Sequence, residues 1–217
     1  MFLIFKNQFL LNYRDSSYIT NAIIFFFLSI VIFSLPIASF ENKESLEIIS
    51  ISFIWFCLLF VILLNAENIF QQDFKDGTLE QFIIHSDNLF FIILSKVISS
   101  WIIFCFPIIS IIPLTCLLLD ISSHFIFNII CVSILVSFLI NLLTVFGASI
   151  LLLPSAGRSM LLLIIFPLII PVIIFANSAL LASGFFAAIK FLLSIACFMT
   201  PILILAIAEI IKITIRG

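Results

Sequence analysis

Polar residues along this chain gather into a few short islands, and the apolar runs between them are far longer than a soluble core requires. Six of these runs qualify as membrane spans, at about residues 21–40, 48–66, 89–119, 125–153, 160–181 and 189–211. The criterion is length: crossing roughly 30 Å of hydrocarbon takes about 20 apolar residues at helical rise. The runs are continuous and do not alternate at period two, which excludes a transmembrane barrel and predicts helices. The expected fold is therefore an all-α integral membrane protein with six transmembrane helices, forming one membrane domain over residues 1–217. The third and fourth spans are long enough to tilt or break.

The richest polar island, residues 67–88 (ENIFQQDFKDGTLEQFIIHSDN), separates the second and third spans and must lie at a membrane surface. Its pattern predicts a knuckle of two short helices. Glu67 to Asp76 can carry the preceding helix into water, with Phe70 and Phe74 one turn apart on one face and Gln71, Gln72, Asp73 and Lys75 exposed around them. Gly77 suits the left-handed position just past a helix end. Thr78, with Gln81 three residues on, makes a capping box, and Glu80 falls in the first turn, where the helix dipole favours an anion. A second helix is expected over 79–85, its apolar face formed by Leu79, Phe82 and Ile83.

Composition agrees with a membrane chain. It is 65% hydrophobic and 9% charged with a mean hydropathy of +1.45, so a soluble fold would have to build its surface from Leu, Ile and Phe. All five cysteines (Cys57, Cys105, Cys116, Cys131 and Cys197) fall within spans and make no CxxC pair, so they read as small buried hydrophobes. With two histidines, His85 and His124, and no Cys/His cluster, no metal site and no cofactor bound by this chain alone are expected. No nucleic-acid partner is expected either.

Charge asymmetry orients the spans. With the N-terminus inside, Lys6, Arg14, Lys75, Lys96, Arg158, Lys212 and Arg216 face the cytoplasm and only Lys43 and Lys190 face away, which places both termini in the cytoplasm. Residues 1–17 are too polar to span. Phe2, Phe5, Phe9 and Tyr13 line one helical face there, as in a helix lying in the membrane interface, although a partly ordered tail fits the same residues. Glu41, Asn42, Lys43 and Glu44 form a solvated connector. Lys96, about two turns into the third span, is placed to snorkel its ammonium to the interface, with a functional charge inside the membrane as the competing reading. Trp55 and Trp101 read as packing or anchoring residues. Pro107, Pro113, Pro167, Pro171 and Pro201 lie inside spans, each removing a helical hydrogen bond and inviting a bend. Residues 177–188 read either as a re-entrant segment or as a tight connector.

The five glycines fit neither GxxxxGK[ST] nor GxGxxG, and the chain holds no GxSxG or HExxH, so no enzymatic activity is expected of it. A polytopic chain with one conspicuous knuckle suits a device that takes force from a soluble partner.

An N-terminal interfacial helix, six spans and DGTLEQ (76–81) between spans two and three resemble an exporter-type permease of the ATP-binding-cassette superfamily. AENIFQQDFKDGTLEQ (66–81), Leu94-Ser95-Lys96 and FPLIIPVIIFANSA (166–179) together resemble the cytochrome c maturation protein B family, also called haem exporter protein B, over essentially the whole length. A departure is His85-Ser86-Asp87-Asn88, where that family tends to be proline-rich. The resemblance implies that 67–88 is a coupling segment docking on an ATPase through Glu67, Phe74, Asp76, Gly77, Thr78, Leu79, Glu80, Gln81 and Phe82. It implies a permease subunit in cytochrome c biogenesis, with ATP bound by a separate ATPase subunit and haem handled by the complex. The other implied partners are a haem-handling membrane protein, a haem chaperone, a second copy of this chain and membrane lipid. A bacterial inner membrane is the implied location, with the mitochondrial inner membrane as the alternative. A generic lipid or drug exporter and a passive scaffold are the competing functional readings, and in the latter the knuckle residues merely cap and solvate a loop.

Overall fold

The computed structural model describes residues 16–37, 43–64, 66, 68–85, 89–153, 157–181 and 185–216. Its elements are α1 (Ser16–Ile37), α2 (Lys43–Leu64), α3 (Asn68–Lys75), α4 (Thr78–His85), α5 (Leu89–Ser100), a π turn (Trp101–Cys105), α6 (Phe106–Leu118), α7 (Ser123–Ile150), α8 (Arg158–Leu181) and α9 (Phe185–Arg216). Six helical stretches are long and apolar enough to cross a membrane, and they match the six expected spans. The interfacial helix expected over 1–17 lies outside the described residues except for Ser16 and Ser17, which open α1.

The bundle is organised around α7. Two-thirds of its membrane window (67%) is buried, against 17% for α1, so α7 is the central post and α1 faces mostly outward. It touches α2, α3, α5, α6, α8 and α9. Hydrocarbon supplies no hydrophobic drive between helices, so close approach at small residues holds such a bundle together. Gly147 makes that point locally: a Cβ there would come 2.5 Å from Ile165 Cδ1 and 3.1 Å from Leu161 Cγ, both on α8.

Polar side chains inside the bundle bind one another. Asn141 on α7 donates its amide to the Val97 carbonyl (3.0 Å) and to Ser100 Oγ (3.1 Å) on α5. One turn along, Trp101 Nε1 donates to Ser137 Oγ on α7 at 3.0 Å. The fully buried Trp55 on α2 likewise donates to Asn177 Oδ1 on α8 at 3.1 Å. At the opposite end from the knuckle, Glu47 accepts from the backbone N–H and the hydroxyl of Ser122, fastening the start of α7 to α2.

Several local expectations change. The third span is broken by the π turn rather than by a simple proline kink: Pro107 sits one residue into α6, so the wider turn just before it absorbs the missing N–H. Pro113, Pro167, Pro171 and Pro201 each lie within helices that run through them. Residues 177–181 finish α8 and 185–188 begin α9, which makes the connection between them too short to re-enter the membrane. Lys43 and Glu44 belong to α2 rather than to a loop. Cys57, Cys105 and Cys116 are buried as expected, but Cys131 is half-buried and Cys197 exposed.

Gly147→Leu should lower the thermal stability of the detergent-solubilised protein more than Asn141→Leu does. The first overpacks a tight helix crossing, at about 1–3 kcal/mol, while the second removes interhelical hydrogen bonds worth about 1 kcal/mol in a membrane. Thermal unfolding followed by size exclusion checks the order.

Candidate functional site

The knuckle forms as two helices. The helix expected over 67–76 is described as α3, from Asn68 to Lys75, and just before it Ala66 N–H bonds back to the Leu63 carbonyl at 3.1 Å. Phe70 is buried against the bundle. Phe74, expected beside it on one face, emerges instead at the surface and is 46% exposed.

Gly77 is the pivot. Its φ of +69° is the left-handed conformation anticipated, and its N–H bonds to the Phe74 carbonyl at 3.3 Å, one of the two bonds of a Schellman-type helix end. The same residue starts α4, since its carbonyl accepts from Gln81 N–H at 3.4 Å. Thr78 is thereby the first residue inside α4 rather than its cap, and the expected Thr78–Gln81 capping box is displaced. The Thr78 hydroxyl points back and donates to the Asp73 carbonyl at 3.0 Å, satisfying a terminal group of α3. Glu80 does occupy the first turn of α4. Leu79 is buried and packs the short helix onto the core.

An ion pair fastens the knuckle from beneath. Lys96 of α5 does not snorkel to water: its side chain is 7% exposed, and its ammonium binds the Asp73 carboxylate of α3, itself 22% exposed. The Phe70 ring covers the ammonium, with Nζ 4.9 Å from its centroid. Asp73, expected at the surface, is turned inward by this partner. Either charge alone would be poorly tolerated there, because desolvation of a buried ion is offset only by its counter-ion and hydrogen bonds. A lone Lys in a span calls for a carboxylate, and Asp73 lies three residues from Phe70 on the inward face of α3, which is the signal that identifies the pair.

Of the residues the sequence singled out, the structure brings Phe74, Asp76, Gly77, Thr78, Leu79, Glu80 and Gln81 together in one knuckle. Phe74, Asp76, Glu80 and Gln81 face outward, beside Gln71, Gln72 and Lys75. Glu67 lies outside the described residues. Phe82 is in α4, its side chain outside the described part.

The whole-chain comparison decides the family. The model of the CcmB protein family matches residues 1–214. This chain belongs to the CcmB family. Among the relatives of this CcmB chain, heme exporter protein B of Pseudomonas aeruginosa is 30% identical over 171 residues, covering 79% of this chain and 76% of that protein. Heme exporter protein B of Haemophilus influenzae is 30% identical over 181 residues, covering 83% and 81% respectively. A putative cytochrome c biogenesis ccmB-like mitochondrial protein of Marchantia polymorpha is 40% identical over 73 residues, 31% of this chain and 26% of that protein. The chain is a multi-pass membrane protein of this family, and its knuckle is the most polar surface the described residues build between two spans.

Nothing lies within 4 Å of a Cβ added at Gly77, so substitution there acts through backbone strain alone. Gly77→Asn should leave the knuckle nearly unchanged, Gly77→Ala should cost about 1 kcal/mol, and the β-branched Gly77→Val more. Amide hydrogen exchange over 73–81 should quicken in that order, and equal exchange in all three would contradict the pivot role.

Proposed function

We propose that this CcmB-family chain is the permease subunit of a haem-export complex of the ATP-binding-cassette type, working in cytochrome c biogenesis. The knuckle carries the reading. It is exposed, held in one conformation by Gly77, and tied to the third span by Asp73 and Lys96, which are the properties a surface needs to receive force from a soluble ATPase. Phe74, Asp76, Glu80 and Gln81 would face that ATPase, Gly77 and Thr78 would shape the surface, and Leu79 would seat it. Glu67 and Phe82 complete the proposed set.

ATP would be bound and hydrolysed by the separate subunit, two copies of which would pair with two copies of this chain. A haem-handling membrane protein and a haem chaperone complete the assembly, in which hydrolysis drives haem delivery or the release of the loaded chaperone. The positive-inside asymmetry supports a knuckle and both termini in the cytoplasm, and the bacterial relatives support the inner membrane.

Transmission of force fits this chain better than carriage of haem along its spans. Both tryptophans have their indole N–H committed to other helices, Trp55 to Asn177 and Trp101 to Ser137. The two histidines, His85 and His124, sit at helix ends rather than within the membrane interior.

Gentle solubilisation of the C-terminally tagged chain should bring down an ATPase and a haem-handling protein. Gly77→Val should remove the ATPase while leaving the chain in the membrane, and Phe74→Ala should reduce its recovery about tenfold, as for one exposed aromatic anchor. An ATPase alone, with cytochromes c intact when the chain is deleted, would indicate a generic exporter. Absence of any ATPase would leave a passive scaffold.

A further inference from the structure

The buried pair beneath the knuckle has a place in the fold that packing does not require. Hydrophobic side chains of similar size would seal α3 against α5 at least as well, because a buried ion pair contributes little net stability over an apolar replacement. What the pair supplies is direction. The Asp73 carboxylate binds the Lys96 ammonium from one side while the Phe70 ring closes over it, so α3 cannot slide along α5 without breaking a charge-assisted bond. Besides the ion pair, α3 packs on α7 while α4 packs on α5 and α9, and Leu79 joins the apolar core there.

From Lys96 the connection continues inward. One residue on, the Val97 carbonyl takes the Asn141 amide, and Ser100 bonds the same side chain, so this stretch of α5 is latched to the central α7. Immediately after Ser100 the helix opens into the π turn Trp101–Cys105 and then meets Pro107. Between the ion pair and the π turn, the third span is therefore fastened both to the knuckle and to α7.

We propose that Asp73 and Lys96 are positioning residues that transmit movement of the knuckle into the third span, making α3 and α5 a single lever that ends at the π turn. The inference rests on the reading of the knuckle as an ATPase-docking surface. It assigns docking and transmission to different residues: Phe74, Asp76, Glu80 and Gln81 meet the partner, while Asp73 and Lys96 touch none of it.

Three variants test it: Asp73→Asn, Lys96→Met, and the reversed pair Asp73→Lys with Lys96→Glu. Each is expressed with the ATPase, and each is read for membrane level, ATPase retained on the tagged chain, and c-type cytochrome formed per copy of the chain. Asp73→Asn and Lys96→Met should keep the ATPase bound yet lower cytochrome formation about tenfold, at the strong end of what a coupling residue contributes. The reversed pair should recover most of it, which a purely packing role would not bring about. Normal cytochrome formation by either single variant, or a reversed pair that reaches the membrane with its ATPase and stays inactive, would overturn the proposal. Should a single variant fail to accumulate, the reversed pair decides alone on the same criteria. If the unaltered chain retains no ATPase, the docking reading falls first and this inference with it, an outcome separable from loss of transmission with docking intact.

Discussion

Hydrocarbon offers no partner to a polar group, and the arrangement of this bundle follows from that constraint. Most serine and threonine hydroxyls along the described spans turn back on their own helices, as Ser133 does to the Ile129 carbonyl and Thr200 to that of Ala196, while the buried hydroxyls of Ser50 and Thr144 make no such bond. Groups with longer reach bind neighbouring helices instead: Asn141 to α5, Trp101 to α7, Trp55 to α8 and Lys96 to α3. Each such bond fixes the register of two helices where dispersion alone would let them slide. Because α7 takes part in so many of them and carries Gly147 at its tightest crossing, it is the element against which the others are set.

The same constraint explains why two helices of only eight residues hold their shape. Helices that short are not stable alone in water. Here Phe70 and Leu79 are buried against the bundle, Asp73 is bound from beneath, and Gly77 takes the one backbone conformation that lets the second helix start where the first ends. A surface ordered in advance loses little entropy on binding, which suits the docking role proposed for it.

Much of this was legible in the sequence, because membrane length and polar islands are coarse signals that survive any packing detail. The six spans, the two-helix knuckle and the left-handed Gly77 all follow from short-range rules. Sequence reasoning failed where a partner lay far along the chain. Asp73 reads as solvent-exposed until Lys96, 23 residues on, is brought under it, and Lys96 reads as snorkelling until Asp73 is there to receive it. Thr78 satisfies the capping-box spacing, yet Gly77 serves both helices at once and moves the cap by one residue. The π turn answers to Pro107 together with packing on α7, a combination that periodicity does not encode.

Everything proposed for the knuckle depends on its outward face meeting an ATPase. The most direct measurement places a photo-crosslinking amino acid at Phe74, which is 46% exposed on the knuckle, and at Phe198, which is 70% exposed within the long apolar helix α9, in membranes containing the full complex. Docking through the knuckle predicts a crosslink to the ATPase from position 74 and none from position 198. No crosslink from 74, or equal yields from both, would contradict it.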